Sequence, residues 1–276
     1  MEEKEMKNIV ITGASGVLCS EFAKALAADG HNLALISRHI DTLQPLVDEI
    51  TAKGGHARAY AADVTSTEAM EAAHKAILND IGKCDVLING AGGNHPCATT
   101  KAEEFDRAGN PDDLNFFNLE KDAFSYVFDL NLWGTVLPSQ VFARDMIDRE
   151  GCCILNISSM AAFSPLTKTP AYCSAKAGIS NFTRWLAVHF AKEGIRVNAI
   201  APGFFLTNQN RHLLFNEDGT PAPRAGKILR GTPMDRFGEP CELLGALRFL
   251  IDENAAGFIT GCVLPVDGGF AAYSGV

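Results

Sequence analysis

The fold is decided near the amino terminus, where the chain reads Asn8-Ile9-Val10-Ile11-Thr12-Gly13-Ala14-Ser15-Gly16-Val17-Leu18-Cys19. The run from Asn8 to Thr12 is mostly apolar and β-branched, which predicts a strand. A glycine-containing turn follows, and a helix-period segment begins at Val17. Such a turn directs the N–H groups of the helix at a bound phosphate. An ordinary strand-to-helix connection is the alternative, but the position of the turn at the start of the chain favours nucleotide binding.

Short β-rich runs and longer helix-period segments alternate along the rest of the chain. The predicted strands cover residues 8–12, 32–37, 57–61, 85–89, 153–158, 196–200 and 262–265. The predicted helices cover residues 17–28, 41–53, 67–80, 123–149, 171–192 and 240–251. Strands separated by helices favour a parallel sheet, because right-handed crossovers place helices on both of its faces. The expected fold is a single doubly wound α/β domain with a seven-stranded parallel sheet, formed by residues 1–276.

Two segments, residues 93–120 and residues 204–237, are too long to be simple connections between the predicted strands and helices. Connections in such folds usually take roughly 2 to 6 residues, and longer ones more often carry function. Both segments follow a strand, and ligands of parallel α/β sheets bind beyond the carboxyl ends of the strands. We therefore expect an active-site insertion at 93–120 and a substrate lid at 204–237.

Composition limits the classes of partner. The 276 residues carry a formal net charge of −9, with a pI near 5.3. Nucleic acid and anionic membranes need a basic face, so neither is expected as a partner. The eight cysteines lack metal-ligand spacing, which favours buried thiols and no metal site. The charged amino terminus, and the lack of an apolar stretch of roughly 18 residues, lead us to expect a reduced, cytoplasmic protein.

Polar residues follow the third and fourth predicted strands. Asp63 lies in Ala62-Asp63-Val64, and Asn89 begins the motif Asn89-Gly90-Ala91-Gly92. These strand ends share the sheet edge at which an adenine and its ribose would lie, and a carboxylate there can accept from the adenine amino group. The alternative for Asp63 is a cap on the helix that begins near Thr67.

Four further residues form a candidate catalytic group. Tyr172 and Lys176 are four residues apart in a helix-period segment, so both side chains lie on one helix face. An ammonium near a phenol favours the phenolate and lowers the pKa of an acid that carbonyl reduction needs. Ser159 follows the fifth predicted strand and can hold a substrate oxygen, and Asn131 is an amide in an apolar helix. The alternatives are a chance pair on a solvated helix, a polar strand end or helix cap, and a satisfied buried amide.

In this order, these motifs resemble the short-chain dehydrogenase/reductase family over nearly the whole chain. The resemblance implies a Rossmann-type fold, NAD(P)-dependent chemistry on CH–OH groups, and usually a homotetramer. It implies that Tyr172 is the acid/base and that Lys176 orients the ribose and lowers the Tyr172 pKa. It also implies that Ser159 positions the carbonyl group and that Asn131 supports a proton-relay water.

The resemblance also assigns a cofactor site. The residues expected there are Gly13, Ser15, Gly16, Val17, Leu18, Ser37, Arg38, Asp63, Val64, Asn89, Gly90, Ala91, Tyr172, Lys176, Pro202, Gly203, Phe205 and Thr207. The sequence departs from the family at Val17 and Cys19, where glycines are usual. Close helix-to-strand packing at Cys19 still requires only a small residue.

A closer resemblance concerns the stretches 94–96, 204–211, 232–238 and 266–270, which are similar to the fructuronate reductase/mannonate oxidoreductase branch. It implies a sugar-acid substrate, fructuronate or mannonate. The alternative within this chemistry is a gluconate 5-dehydrogenase-like enzyme or another polyol dehydrogenase. From a different class, a catalytically silent nucleotide-binding sensor is the alternative, because fold does not guarantee activity. The intact catalytic group argues against a sensor.

The cofactor preference is predicted from the end of the second strand, Ile36-Ser37-Arg38. An Asp there would bind the ribose diol of NAD. The chain instead places a guanidinium where it can pair with a 2′-phosphate, so NADP(H) is expected to be preferred and NAD(H) is the alternative. A surface Arg38 without a ligand is the other interpretation.

The two long segments carry polar side chains that suit a substrate with several hydroxyls and a carboxylate. Those expected to contact the substrate are Asn94, His95, Asn210 and Arg211, with Asn208 and Gln209 nearby. The aromatic residues Phe116, Phe117, Phe204 and Phe205 temper this expectation, because they can form an apolar wall or pack the lid. In the alternative interpretation, His95 and Arg211 are solvated loop residues.

Overall fold

The computed structural model describes residues 6–207, 211–216 and 218–275. Within these ranges one parallel sheet carries seven strands, in the order β3-β2-β1-β4-β5-β6-β7. The strands are β1 Asn8–Thr12, β2 Asn32–Ser37, β3 His56–Ala61, β4 Val86–Asn89, β5 Cys153–Ile157, β6 Arg196–Pro202 and β7 Val263–Val266. The predicted doubly wound α/β fold is confirmed, and each strand lies within two residues of its predicted bounds.

The helices flank the sheet in the expected order. They are α1 Val17–Ala28, α2 Gln44–Ala52, α3 Thr67–Asp80, α4 Lys121–Phe128, α5 Gly134–Phe142, α6 Pro170–His189, α7 Arg211–Leu214, α8 Pro223–Gly231, α9 Leu244–Ile251 and α10 Glu253–Ala256. The single helix predicted at 123–149 is wrong. A π-helical segment, Asp129–Trp133, separates α4 from α5, and the helical path ends with a 3₁₀ turn at Ala143–Asp145.

Side chains of alternate residues on β1 reach two separate apolar layers. Ile9 and Ile11 pack with Phe22 of α1 on one face, and Val10 packs with Phe142 of α5 on the other. All five residues are essentially inaccessible to solvent. A strand buried on both faces reads as a continuous apolar run, which is why the sequence revealed it so clearly.

The strand order reverses direction between β1 and β4. Strands β2 and β3 lie on one side of β1, and β4 to β7 lie on the other. The loops at the carboxyl ends of β1 and β4 therefore diverge and leave a crevice, which is the usual ligand site of such sheets. The Thr12 hydroxyl ties the two ends together by accepting from the N–H groups of Gly90 at 3.1 Å and Ala91 at 3.4 Å.

The two long segments lie beyond this edge of the sheet. The insertion at 93–120 consists of loops and two short 3₁₀ turns, and the segment 204–237 carries α7 and α8. They meet through the Lys227 ammonium, which contacts both carboxylate oxygens of Glu103 at 2.7 and 2.8 Å.

The predicted substrate residue Asn210, with its neighbours Asn208 and Gln209, lies outside the described residues. The searched part of the chain contains no helix that could span a membrane and no cluster of residues suited to a metal ion.

Candidate active site

The glycine turn after β1 forms a cradle that fits a phosphate group. Gly13 has a left-handed φ of +64°, and a Cβ built on it would lie 2.7 Å from the backbone Cα of Ala91. Glycine satisfies both conditions. Gly16 precedes α1 with an extended backbone, and within the described residues this helix has neither a side-chain cap nor an acidic residue in its first turn. Its N–H groups and dipole therefore favour an anion, in agreement with the expected role of residues 13–18.

Cys19, one of the two departures from the family pattern, is accommodated by the glycine at position 90. Its side chain is buried, and the Sγ occupies the space that a Cβ on Gly90 would need. Burial raises the pKa of the Cys19 thiol to about 12, so the thiol stays protonated and packs as a small apolar group. Close contact between α1 and the end of β4 is therefore kept without a glycine at position 19.

Asp63 closes a turn after β3. Its Oδ1 accepts from the backbone N–H of Thr65 at 2.8 Å and from the Thr65 hydroxyl at 2.7 Å. Helix α3 is capped by Ser66, so the alternative role of Asp63 as the cap is wrong. Burial raises the pKa of Asp63, but the Thr65 hydrogen bonds and the charge of Arg38 outweigh burial and lower the pKa overall. Asp63 is thus held as a carboxylate just beyond the carboxyl end of β3.

Of the two residues at the end of β2 that were predicted to contact the cofactor, Ser37 is buried and Arg38 is exposed. Ser37 is buried, and its hydroxyl lies 2.9 Å from both the His39 carbonyl oxygen and the Thr42 hydroxyl. The Ser37 side chain therefore stabilises its own loop, which argues against the expected contact with the cofactor. Arg38 is exposed and lies close enough to Asp63 for its charge to lower the pKa of that carboxyl.

Asn89 has a structural role that differs from its predicted one. Its Nδ2 donates to the Ser139 hydroxyl at 3.0 Å and to the Asn156 Oδ1 at 2.9 Å, which links β4 to α5 and β5. Both amide hydrogens are therefore used inside the core, where the side chain is buried. The amide hydrogens are therefore unavailable to a cofactor, and the expected cofactor contact at Asn89 stays a prediction for its other atoms.

Lys176 is buried on the inner face of α6. Its ammonium donates to the Ile157 carbonyl at the end of β5 at 2.8 Å and lies 5.7 Å from the centre of the Tyr172 ring. Burial lowers the pKa of Lys176 to about 8. The predicted placement of both side chains on one helix face is confirmed, and the lysine can exchange a proton near neutral pH.

Tyr172 lies between Lys176 and Ser159. Burial raises the pKa of the Tyr172 phenol, and a hydrogen bond with Ser159 partly opposes that rise. The prediction that the Tyr172 pKa is lowered is therefore wrong for the protein without cofactor. Desolvation of the phenol raises the pKa more than the surrounding groups lower it. Ser159 also accepts from the backbone N–H of Ala161 at 3.1 Å and so caps a 3₁₀ turn. The serine is therefore a cap, as the alternative interpretation had it, and it also lies within hydrogen-bond distance of the Tyr172 phenol.

Asn131 lies in the π-helical segment and holds the chain that leaves β4. Its Nδ2 donates to the carbonyl oxygens of Gly93 at 2.7 Å and Val127 at 2.8 Å, and its Oδ1 accepts from the Gly93 N–H at 3.3 Å. A Cβ on Gly92 would lie 2.7 Å from this Oδ1 and 3.2 Å from the Lys176 ammonium. The amide is therefore satisfied, and it lies with Lys176 beside Gly92, in a π-helical segment of the kind that is frequent at functional sites.

Two cavities open beside this group. The larger has a volume of about 610 Å³ and lies between the loop 165–169, the start of α8 and the insertion. It is lined by Thr99, Glu103, Pro165, Leu166, Thr167, Lys168, Thr169, Phe204, Pro223, Arg224, Lys227, Ile228 and Phe270. The smaller, of about 240 Å³, brings together the predicted cofactor residues Leu18, Gly203, Phe205 and Thr207. Leu166, Phe204 and Phe270 pack in one apolar cluster with Tyr172, so the larger cavity adjoins the candidate acid.

The described residues that were predicted to contact substrate do not line the larger cavity. Asn94 is exposed and donates to the Thr99 hydroxyl at 3.0 Å, and the His95 Nδ1 accepts from the Cys97 N–H at 3.2 Å. Arg211 is exposed, with its guanidinium 5.7 Å from the centre of the Phe215 ring. The cations that do line it were not predicted from the sequence, although Pro-Ala-Pro-Arg at residues 221–224 signals the start of a helix within the lid.

Comparison with known proteins agrees with this architecture. Residues 7–217 match the family model described as short chain dehydrogenase. The chain is 56% identical over 274 residues to an uncharacterized oxidoreductase of Haemophilus influenzae, covering 99% of this chain and 95% of that one. It is 53% identical over 270 residues to the uncharacterized oxidoreductase UxuB of Bacillus subtilis, covering 98% and 96%.

A solved structure extends the comparison to three dimensions. It is a crystal structure, with bound NAD, of a Haemophilus protein described provisionally as a D-mannonate oxidoreductase. The two chains are 55% identical, the TM-score is 0.96, and the match covers 99% of this chain and 98% of that chain. The family match, the relatives, the sheet order and the arrangement of the catalytic group agree with one another, and this chain belongs to the short-chain dehydrogenase family.

Proposed function

We propose that this oxidoreductase interconverts the ketone and secondary alcohol of a sugar acid, with fructuronate and mannonate as the first candidates. The observation that carries the proposal is the meeting of Tyr172, Ser159 and Lys176 beside a cavity large enough for a six-carbon acid. The description of the 55% identical structure as a D-mannonate oxidoreductase supports the same substrate class.

The protein supplies the proton and the geometry of this reaction. A nicotinamide dinucleotide, when bound, supplies or accepts the hydride. In the reducing direction the Tyr172 hydroxyl donates its proton to the carbonyl oxygen, and the Ser159 hydroxyl donates a hydrogen bond to the same oxygen. Lys176, with a pKa of about 8, is the next proton source at the site. Asn131 keeps the backbone at Gly93 in place beside this path.

The cofactor proposal is a preference for NADP(H), carried by the exposed guanidinium of Arg38 after β2. Two observations favour NAD(H) instead. The related crystal structure contains NAD. In this chain the Arg38 guanidinium, which would pair with a 2′-phosphate, already interacts with the Asp63 carboxylate. Arg38 keeps the greater weight in this proposal because it has no acidic residue before it on β2, where an NAD-specific carboxylate would stand.

The exposed aromatic side chains support a further proposal, that the enzyme works as a homotetramer. Trp133, Trp185 and Phe258 are large apolar groups with at least two-fifths of their surface exposed. Exposed apolar surface of this kind is typical of subunit interfaces. Sedimentation equilibrium tests the assembly, and a monomer at micromolar concentration would contradict it.

A substrate screen tests the central proposal. Reduction is followed by nicotinamide absorbance with NADPH and NADH in turn, on fructuronate, 5-ketogluconate, fructose and a hydrophobic ketone. The proposal predicts the highest kcat/KM for fructuronate. The highest value for 5-ketogluconate would identify a gluconate 5-dehydrogenase-like enzyme, and a preference for the hydrophobic ketone would refute the sugar-acid assignment.

A further inference from the structure

The larger cavity has a charge opposite to that of the whole chain. Three of its lining residues are cationic, Lys168, Arg224 and Lys227, and one is anionic, Glu103, which leaves a formal excess of two positive charges. The chain as a whole carries −9. We infer that Arg224 and Lys168 form the site for the carboxylate of the substrate, an inference that rests on the proposed function and names the residues that recognise its acid group.

Arg224 is free to bind an anion. It is the second residue of α8, and among the described residues it forms no ion pair or hydrogen bond. In the described part of the chain, α8 also has no side-chain cap and no acidic residue in its first turn, where an acidic residue would be stabilising. The guanidinium, the free N–H groups and the helix dipole therefore all favour a negative group at one place.

Lys168 also lines the larger cavity, and its backbone is joined to the helix that carries Tyr172. Its backbone is left-handed, with a φ of +71°, which is uncommon for a residue other than glycine. The Lys168 carbonyl accepts from the Thr100 N–H at 2.8 Å. The next residue, Thr169, precedes the first turn of α6, which carries Tyr172. The insertion and the start of α6 therefore both hold the backbone at Lys168 in place.

Lys227 is not assigned to the substrate carboxylate, because its ammonium already forms an ion pair with Glu103. Its ammonium contacts both oxygens of Glu103, which joins α8 to the insertion and neutralises the carboxylate that the cavity contains. The excess of two positive charges therefore remains with Arg224 and Lys168, and the charge of Lys168 also helps to lower the pKa of the Glu103 carboxyl. The pair with Glu103 keeps α8 against the insertion and so fixes the position of Arg224.

The cavity has distinct ends for the two parts of a keto acid. Leu166, Phe204 and Phe270 form an apolar wall that packs with Tyr172, where the ketone must lie to receive a proton. The cations lie on the loop and helix around that wall. A ligand with its carbonyl at Tyr172 and its carboxylate toward α8 matches both ends.

Arg224 also lines the smaller cavity, next to Leu18 and Gly203 at the phosphate cradle. The diphosphate of the dinucleotide is therefore the other source of an anion for this side chain. Lys168 lines the larger cavity and not the smaller one, and this difference favours the substrate carboxylate as the shared ligand of the two cations.

The test compares Arg224→Met and Lys168→Met with Arg230→Met, which removes an exposed charge from the same helix outside both cavities. Steady-state constants are measured for the acid and for the neutral ketose fructose, and dinucleotide affinity is measured by fluorescence titration. We expect the first two variants to raise the KM for the acid about 10- to 100-fold, the loss typical of a charged hydrogen bond. The constants for fructose, the dinucleotide affinity and the Arg230→Met enzyme should stay close to the parent.

Three results would overturn the inference. Weaker dinucleotide binding by Arg224→Met, with an unaltered KM for the acid, would assign Arg224 to the diphosphate. An equal rise of the KM for the acid in all three variants would indicate that the overall positive charge of the lid attracts the acid, without a specific site. A parent enzyme with no preference for acids over neutral ketoses would refute the proposed function and this inference together, whereas the first two results leave the proposed function intact.

Discussion

Replacing Lys176 by Met should stabilise the protein while it removes activity. The side chain is 5% exposed, and burial lowers its pKa from the ordinary 10.5 to about 8. The charged form is therefore disfavoured in the folded state relative to the unfolded chain. Met fills a similar volume without a charge and gives up the hydrogen bond to the Ile157 carbonyl.

The magnitude follows from the shift in pKa. A difference of about 2.5 pH units corresponds to about 3 kcal/mol, at about 1.4 kcal/mol per unit. The lost hydrogen bond to Ile157 costs about 1 kcal/mol. At pH 7 we therefore expect the free energy of unfolding of Lys176→Met to exceed that of the parent by about 2 kcal/mol.

The pH dependence provides a second, independent signature. Below pH 8 the lysine is protonated in both states, so the parent carries the full penalty. Between about pH 8 and 10.5 the unfolded chain holds a proton that the folded state has lost, so the stability of the parent rises by about 1.4 kcal/mol per pH unit relative to the variant. The advantage of the variant should therefore disappear near pH 9.5.

Urea denaturation of both proteins without cofactor, at half-unit steps from pH 7 to 9.5, measures this difference. A Lys176→Leu variant serves as a matched control, because it removes the same charge with a different shape. Equal stability of parent and variants at every pH would refute the electrostatic argument, and a variant less stable than the parent at pH 7 would mean that packing around Ile157 dominates.

Three further predictions concern single contacts. Gly90→Ala should destabilise the protein by about 1 to 3 kcal/mol because its Cβ would meet the Cys19 Sγ, and Cys19→Ala should recover most of that loss in the double variant; no recovery would mean that the clash lies elsewhere. Tyr172→Phe should lower kcat roughly 100- to 10,000-fold and leave dinucleotide affinity close to the parent, and a variant with most of its activity would exclude the phenol as the acid. Arg38→Ala should lower kcat/KM with NADPH about 10-fold and leave NADH nearly unaffected, as expected for one charge-assisted contact, whereas a parent enzyme more efficient with NADH would refute the preference.

The strands and the catalytic helix were predictable because their signals are local. A strand buried on both faces is apolar throughout, and residues four apart on a helix share a face regardless of what surrounds them. The same reasoning failed over residues 123–149. The π-helical segment around Asn131 and the end of α5 at Phe142 interrupt that pattern, and an apolar period alone does not reveal either break.

Electrostatic roles were less predictable than positions. The spacing of Tyr172 and Lys176 was enough to place them together, but burial of both groups reversed the expected shift in the phenol pKa. Similarly, Asn89 stands in a motif that suggests ligand binding, yet its amide is directed into the core by Ser139 and Asn156. Desolvation and hydrogen-bond partners depend on neighbours that are distant along the chain.

The sequence by itself determined the family and the sheet of this protein, and it placed Tyr172 and Lys176 on one helix face, because each depends on motifs or periods that are local along the chain. The tertiary structure alone decided which cations line the larger cavity. Arg224 and Lys168 are 56 positions apart, and neither stands in a motif that marks it. Both line one cavity together with the pair of Glu103 and Lys227, a contact between residues 124 positions apart that no local pattern encodes.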